Sequence, residues 1–407
     1  MIINFKYVKD GEVINCEHTA PKRAVEKGSE YCQRYLVRNM ISYIYDHDIE
    51  EVNWVGAWIY ERDTLIASVT YHGNITIVNN CDNTISDKIK AVVLGHAIGD
   101  ALGVPVEFCY REELKKNPVT DMIGFGSYDV PAGSWSDDTS MSLCTLESLA
   151  KGKIDYNDIM NNFGKWYYNN EFTPTGNTFD VGTTCSFAIH NYHKANCTIE
   201  TCGLDEEMAN GNGSLMRIHP MALFTFAKGM SLGKSLDAIY KTSALTHAHP
   251  RSKLGCGIYS MLLWKLLKSP SKEEAAKELE NTYVFYDGGA RVSEKEYDHY
   301  SELSHFDFAY KASLLEKTED DIVGSGYIVD ALEAALWCLL TTDSYKECVL
   351  KAVNLGDDTD TTAAIAGGLA GALYGLDAIP EEWLVKLKRR DYIEDMCERA
   401  YRAWIEK

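Results

Sequence analysis

The chain has 407 residues, enough for two or three compact units of roughly 150 residues each and for a large apolar core without disulfide staples. Its 45% apolar and 25% charged residues are ordinary globular composition, and 30 Gly with 9 Pro exclude a collagen-like or low-complexity chain. Forty basic residues against sixty acidic ones leave a net charge of −20, which argues against general nucleic-acid binding and against docking on anionic membranes, since both need Lys and Arg to meet phosphate.

The N-terminal residues Met1 to Asp10 carry no signal-like apolar run. No stretch reads as the ~20 apolar residues needed to span a bilayer, and the longest candidate, Ala363 to Tyr374, is short and rich in Gly and Ala. Twelve Cys without a C-x-x-C pair point to a reduced, cytoplasmic protein whose thiols pack as small apolar groups. Residues 1–82 read as a small α+β accessory domain of order β-α-β-β-β. Ile2 to Val8 is a strand, Pro21 to Asp46 a helix, and Asn53 to Tyr60, Leu65 to Tyr71 and Ile75 to Val78 are strands. The turn Glu61-Arg62-Asp63-Thr64 separates the first two of these last strands, and Gly73-Asn74 is a hairpin signal before Ile75.

From residue 86 to 407 the pattern is helix after helix, so this part is predicted to be an all-α domain. The helical runs are Asp87–Gly103, Asp138–Ala150, Tyr156–Tyr167, Ser214–Ala227, Leu232–Thr242, Ser252–Leu267, Ser271–Leu279, Tyr327–Thr341, Ser344–Val353 and Thr361–Tyr374. Residues 281–320 lack a clear period and are predicted to form an irregular insertion. Gly95, Gly99 and Gly103 recur every four residues, as do Gly367, Gly371 and Gly375. Each glycine weakens a helix by ~1 kcal/mol relative to alanine. Such a stripe makes sense where a second backbone comes close.

Two acidic segments each stand directly before a helix: Trp135-Ser136-Asp137-Asp138-Thr139 and Gly356-Asp357-Asp358-Thr359-Asp360-Thr361. Asp, Ser and Thr are preferred N-caps, and acids in a first turn meet the helix dipole favourably. One cap accounts for one acid, not for five Asp in two clusters. If Asp137, Asp138, Asp358 and Asp360 converge, four like charges make six repulsive pairs of about 4 kcal/mol each at ~4 Å and an effective dielectric of ~20. The sum, roughly 20 to 25 kcal/mol, exceeds the net stability of a typical domain. Protons or cations must then compensate. Two divalent cations balance four carboxylates. The oxygens on offer, including the hydroxyls of Ser136 and Thr361, are hard ligands that favour Mg²⁺ or Mn²⁺. Asp358 to Thr362 also match the D-x-D-x-T nucleophile loop of haloacid-dehalogenase-type phosphatases. That loop needs a strongly apolar strand before it, and Lys351 to Gly356 is a weak one.

The motifs resemble, in order, those of the ADP-ribosylglycohydrolase family, over roughly residues 88–390. Gly95 to Phe108 is similar to G-x-x-x-G-D-A-L-G-x-P-x-E, and Trp135 to Thr139 to W-[S/T]-D-D-T. Phe179 to Thr184 resembles F-D-I-G-N-T, with Thr183 in place of Asn. Asn212 to Arg217 resembles N-G-x-x-M-R. Gly326 to Asp330 and Gly356 to Gly375 complete the series.

The resemblance implies a compact all-α bundle and a hydrolase that cleaves the glycosidic bond between ADP-ribose and an acceptor. It implies two divalent cations, Mg²⁺ or Mn²⁺, with Ser136, Asp137, Asp138, Asp358, Asp360 and Thr361 as ligands. Asp357 falls just outside the matched pattern and is taken as a cap or as a group that supports the ligands from behind. Glu107, Asp137 or Asp138 is the group expected to move the proton. Gly211, Asn212, Gly213 and Ser214 are expected to cradle the diphosphate at a helix N-terminus. His247 is expected near the substrate, and Tyr327 offers a ring for adenine. Arg217 is expected to support the glycine-rich turn or to form an ion pair. The partner is an ADP-ribosylated molecule, with no membrane. A non-catalytic ADP-ribose binder of the same fold is the alternative; the retained acids weigh against it.

Overall fold

The structure is a computed structural model that describes residues 2–9, 12–21, 29–47, 54–61, 64–69, 75–77, 81–287, 300–309 and 313–405. The chain divides into two compact units, Met1–Thr84 and Ile85–Lys407.

The first unit is an antiparallel five-stranded sheet of order β2-β1-β3-β4-β5, built from β1 (Ile2–Lys9), β2 (Glu12–Thr19), β3 (Trp54–Glu61), β4 (Thr64–Val69) and β5 (Ile75–Ile77). Helix α1 (Ser29–Asp46) buries Leu36, Val37, Met40 and Ile44, and Ile3 and Phe5 of β1 are buried as well. The alternation Ile3, Phe5 marks one face of a half-buried strand. Strand β2 corrects the β-α-β-β-β order. Its sequence, Glu-Val-Ile-Asn-Cys-Glu-His-Thr, shows no clean apolar alternation, and pairing with β1 in the register Phe5–Cys16 supplies its order. The Gly73-Asn74 turn, the Arg62-Asp63 turn and residues 22–28 lie outside the described residues.

The second unit is helical. Its longer helices are α2 (Cys81–Gly103), α3 (Asp137–Leu149), α4 (Tyr156–Asn169), α5 (Thr183–Lys194), α6 (His219–Ala227), α7 (Leu232–Ala244), α8 (Pro250–Lys268), α9 (Lys272–Asp287), α10 (Ile328–Leu340), α11 (Tyr345–Val353), α12 (Thr359–Tyr374), α13 (Glu381–Lys386) and α14 (Arg390–Ile405). Three of these lie outside the runs read from the sequence. In α5, Thr-Thr-Cys-Ser at the start has weak helix propensity. In α14, Ile393, Met396, Cys397, Ala400 and Trp404 are buried, a helical period that the sequence carries. The third is the six-residue α13.

The helix expected over Ser214–Ala227 is in fact a 3₁₀ turn, Asn212–Ser214, followed by α6. Pro220 sets that later start, because a proline is at home in a helix's first turn and lacks the N–H that an interior position needs. The described part of 281–320 is not irregular. Helix α9 runs on to Asp287, and short helical turns bury Phe306, Phe308 and Leu314; residues 288–299 and 310–312 lie outside the described residues.

Helices α2 and α12 form the antiparallel pair that brings the acidic segments together. A Cβ at Gly99 would fall 2.0 Å from the Ala363 carbonyl oxygen, and one at Gly103 would fall 2.3 Å from Asp360 Cα. The two glycine stripes therefore face each other, Gly95 against Gly367. Gly375 does not belong to the stripe. It ends α12 with φ +86° and ψ 171° and has open space around it, a backbone region essentially reserved for glycine. The 22-residue segment Ile85–Val106 is longer than the Ala363–Tyr374 run; its most apolar window has a mean hydropathy of 1.4, and 89% of that window is buried inside the protein.

Candidate active site

Seven carboxyl groups meet where the C-terminal end of α2 meets the N-terminal ends of α3 and α12. Oxygens of Asp100, Asp138 and Asp360 lie within 4.8 Å of one another, and so do oxygens of Glu107, Asp180 and Asp360. Asp137 and Asp358 border the same space and line a cleft of about 350 Å³ together with Glu107, Asp180 and Thr361. The segments that stand 220 residues apart in the chain do converge: the Thr361 hydroxyl donates to Asp138 Oδ1 at 3.4 Å.

The way each acid is held shows which are helix caps. The Ser136 hydroxyl caps α3, accepting from the Asp138 amide at 3.3 Å. Asp100, from α2, takes the Ser136 amide (2.9 Å), the Thr139 amide (3.0 Å) and the Thr139 hydroxyl (2.5 Å). It thereby satisfies orphan donors of a helix start from outside that helix. Asp358 stands at the cap position of α12 but makes no capping bond. Its Oδ2 accepts from Asn212 Nδ2 at 2.7 Å instead.

Four buried carboxyl oxygens have no hydrogen-bond partner: Glu107 Oε2, Asp138 Oδ2, Asp358 Oδ1 and Asp360 Oδ2. Among the described residues none of these seven acids has a Lys or Arg ion-pair partner. Burial pushes the pKa values of Asp137, Asp138 and Asp360 well above the carboxylate range, and neighbouring carboxylates add to the shift. Asp358 is raised by the same burial. Burial lifts Asp100 to about 7. Glu107 is lifted to about 9 by burial and then by the charges of Asp180 and Asp358. A site so arranged holds protons or positive ions. Its unpartnered hard oxygens fit divalent cations of the Mg²⁺ type.

Sequence reasoning missed Asp100, Asp180 and Tyr128. Asp100 and Asp180 stand inside the motifs quoted above, yet nothing local distinguishes them from structural polar residues. Asp180 has the left-handed φ of +53°, a conformation that Asp tolerates better than most residues. Tyr128 shares its hydroxyl between Glu107 and Asp180, and its own acidity is suppressed, first by burial and then by those acids. No sequence pattern marks Tyr128.

On the far wall of the cleft, Gly211, Asn212, Gly213 and His247 are in place. Gly213 makes room for the histidine: a Cβ there would fall 2.9 Å from His247 Cε1. Ser214 is not on this wall. It is buried, with its hydroxyl 3.0 Å from that of Ser243. The helix start expected there is only the 3₁₀ turn, and the Asn212 amide is spent on the Gly326 carbonyl at 2.9 Å. Tyr327 is also off the wall; its ring faces the Arg251 guanidinium at 5.8 Å, a stabilising cation–π contact. The helix start that does line the cleft is that of α5, at Thr183, Thr184 and Cys185, and no side chain caps it.

His247 is fixed in place by a hydrogen-bonded chain. Thr246 Oγ1 lies 2.7 Å from Arg217 Nη2, from which it accepts, and 2.7 Å from His247 Nδ1. Burial, helped by the Arg217 charge, lowers the His247 pKa to about 3, so the ring stays neutral at physiological pH. Arg217 itself has no carboxylate partner; it is fully buried against the Phe163 ring at 4.8 Å.

The D-x-D-x-T reading fails on topology: helix α11, not a strand, precedes Asp358. An all-α unit that gathers carboxyl groups at the foot of one cleft, between helix ends, has the architecture of a helical hydrolase rather than of a phosphatase. The profile of the family described as ADP-ribosylglycohydrolase matches residues 82–407. An ADP-ribosylarginine hydrolase of Serratia proteamaculans is 33% identical over 320 residues, 77% of this chain and 79% of that protein. An ADP-ribosyl-[dinitrogen reductase] glycohydrolase of Rhodospirillum rubrum is 34% identical over 310 residues, 75% and 91% of the two chains. A solved structure of an ADP-ribosylglycohydrolase-related protein complex superposes with a TM-score of 0.63 at 28% identity, covering 79% of this chain and 99% of that one. The chain belongs to the ADP-ribosylglycohydrolase family and is a hydrolase of ADP-ribosyl linkages.

Proposed function

We propose that the enzyme hydrolyses the bond between the anomeric carbon of ADP-ribose and an arginine side chain of a modified protein, with two divalent cations, Mg²⁺ or Mn²⁺, held by its acids. The observation that carries this reading is the set of four buried, unpartnered carboxyl oxygens around one cleft. The arginine linkage is taken from the substrate named for the Serratia relative.

One cation would be held by Asp100, Asp138 and Asp360, and the other by Asp180 and Asp360, with Glu107 beside that second pair left as the acid. Asp137, Asp358 and Thr361 border both sets. Such ions, when bound, cancel the carboxylate repulsion, orient ribose hydroxyls and make a water more acidic. Ser136, whose hydroxyl serves as the α3 cap, contributes by fixing Asp138.

The chain's own residues supply the proton transfer. Cleavage of a glycosidic bond passes through an oxocarbenium-like state that needs a proton for the leaving group and a base for the incoming water. Burial and the neighbouring acids favour the protonated form of Glu107, which gives its proton to the departing nitrogen as the bond to C1′ breaks. Asp137 lines the cleft, whereas Asp138 lies behind it. Asp137, which bound cations would keep ionised, accepts the proton of the water whose oxygen bonds to C1′, and ADP-ribose and the free guanidine leave. Tyr128 stands beside Glu107 and Asp180. The open amides at the start of α5 receive the diphosphate, and His247 borders the same ligand.

The test is release of ADP-ribose from proteins modified on arginine and on serine, with and without EDTA. Arginine-linked substrate cleaved only in the absence of chelator is the expected result. Cleavage that EDTA leaves unchanged rejects the cation requirement.

A further inference from the structure

A second cavity of about 440 Å³ lies beside the cleft, and the two share Phe108. Phe108 follows Glu107 directly. It is 64% exposed and has the left-handed φ of +65°, which costs a non-glycine residue roughly 1–2 kcal/mol. The strain is held by reciprocal backbone bonds. The Phe108 amide donates to the Asp357 carbonyl at 2.7 Å, and the Asp357 amide donates to the Cys109 carbonyl at 2.9 Å. These bonds tie the loop that carries Glu107 to the loop that carries Asp358. An aromatic ring is thus kept in solvent, against the hydrophobic effect, at the point where the cleft opens into the second cavity.

The walls of that cavity are aromatic and acidic. Tyr110 is 76% exposed and Val323 50%, while the Glu112 and Asp320 side chains stand 77% and 84% in solvent. Lys115 reaches Glu112, Glu319 and Asp320 at 3.3 to 3.6 Å, one positive charge against three negative ones. Arg111, the one basic residue lining the cavity among the described residues, donates to the carbonyls of Leu355, Glu319 and Ile322 at 2.7, 2.6 and 2.5 Å. Those bonds hold the wall and use three of the five guanidinium N–H groups.

We infer that this cavity seats the polypeptide segment of the modified protein that flanks its ADP-ribosylated residue, and that it selects segments bearing positive charge. The inference rests on the arginine-linked reading above. With ADP-ribose in the cleft and the scissile bond at Glu107, the linked side chain leaves the cleft across Phe108. Its guanidinium lies over that ring, an arrangement that aromatic faces favour. The flanking backbone and its basic side chains then meet Tyr110, Glu112 and Asp320. A small conjugate such as ADP-ribosylated free arginine never reaches those residues.

The experiment compares steady-state hydrolysis of an ADP-ribosylated basic protein and of ADP-ribosylated free arginine by the full-length enzyme with Mg²⁺, for wild type, Tyr110→Ala and the double variant Glu112→Lys/Asp320→Lys. All three replaced side chains are exposed. The expected result is a loss of about tenfold or more in kcat/KM on the protein, mostly in KM, with the small conjugate unchanged within about twofold. The double variant also loses the salt dependence of KM that wild type shows on the protein. Equal effects on the two substrates, or none on either, overturn the inference and leave the arginine reading standing. A wild-type enzyme that cleaves neither conjugate takes down both.

Discussion

Gly103 of α2 lies so close to Asp360 of α12 that a single added Cβ would sit 2.3 Å from the aspartate's Cα. That contact anchors the site, because the end of α2 leads to Asp100 and Glu107 and the start of α12 carries Asp358 and Asp360. Helix propensity alone favours alanine over glycine by about 1 kcal/mol. At Gly99, where a Cβ would meet the Ala363 carbonyl at 2.0 Å, steric overlap wins. Gly99→Ala is therefore expected to destabilise the fold by about 3 kcal/mol, read from urea denaturation. An unchanged or raised midpoint would show that the helices can part at no cost.

Asp360 belongs to both clusters of acids. Asp360→Asn is expected to abolish tight Mn²⁺ binding in calorimetry and to lower ADP-ribose release by at least about 100-fold. Asp357→Asn, one turn residue earlier and exposed, is expected to keep both within about threefold. Equal losses in the two variants would mean that the segment acts as a loop and not as a ligand set.

The raised pKa values have a pH consequence with a definite sign. Glu107 goes from its ordinary 4.5 to about 9 and Asp100 from 3.8 to about 7, and the other buried aspartates move in the same direction. Between those limits the metal-free folded protein holds protons that the unfolded chain has released. Its stability therefore falls as pH rises from about 5 to 8. Divalent ions replace the protons, so added Mg²⁺ is expected to raise Tm more at pH 8 than at pH 5, by a difference of about 3 °C or more. Calorimetric scans at the two pH values, with EDTA and with Mg²⁺, check this. A larger Mg²⁺ effect at pH 5 contradicts the assignment of the acids.

Thr246→Val keeps the side chain's shape and removes the hydroxyl that links Arg217 to His247. Nitrogen-15 NMR of the wild type is expected to show a neutral His247 from pH 5 to 8. The valine variant is expected to have an ADP-ribose affinity lower by about fivefold. A wild-type ring that titrates in this range is incompatible with its burial beside Arg217.

Much of the site was legible in the chain. The acid segments before α3 and α12, the glycine stripes and the ordered motifs are local patterns, and each reflects a physical rule that acts over a few residues. Helix caps prefer short polar side chains, and close-packed helices need glycine at every fourth position. What those rules cannot show is which acid is a cap and which is free. Ser136 and Asp358 occupy equivalent cap positions, yet only Ser136 makes the capping bond.

The amino-acid order by itself determined the helical class, the family and the two acid clusters, because periodicity, capping and motif spacing are written along one strand of chain. Only the tertiary structure decided that Asp100 and Asp180 join those clusters, that Tyr128 stands beside Glu107, that Gly213 makes room for His247, and that Ser214 and Tyr327 stand off the cleft. The physical reason is distance. Electrostatic repulsion and orphaned oxygens depend on separations of a few ångströms between residues far apart in sequence, and those separations are set by how tightly α2 and α12 are allowed to pack.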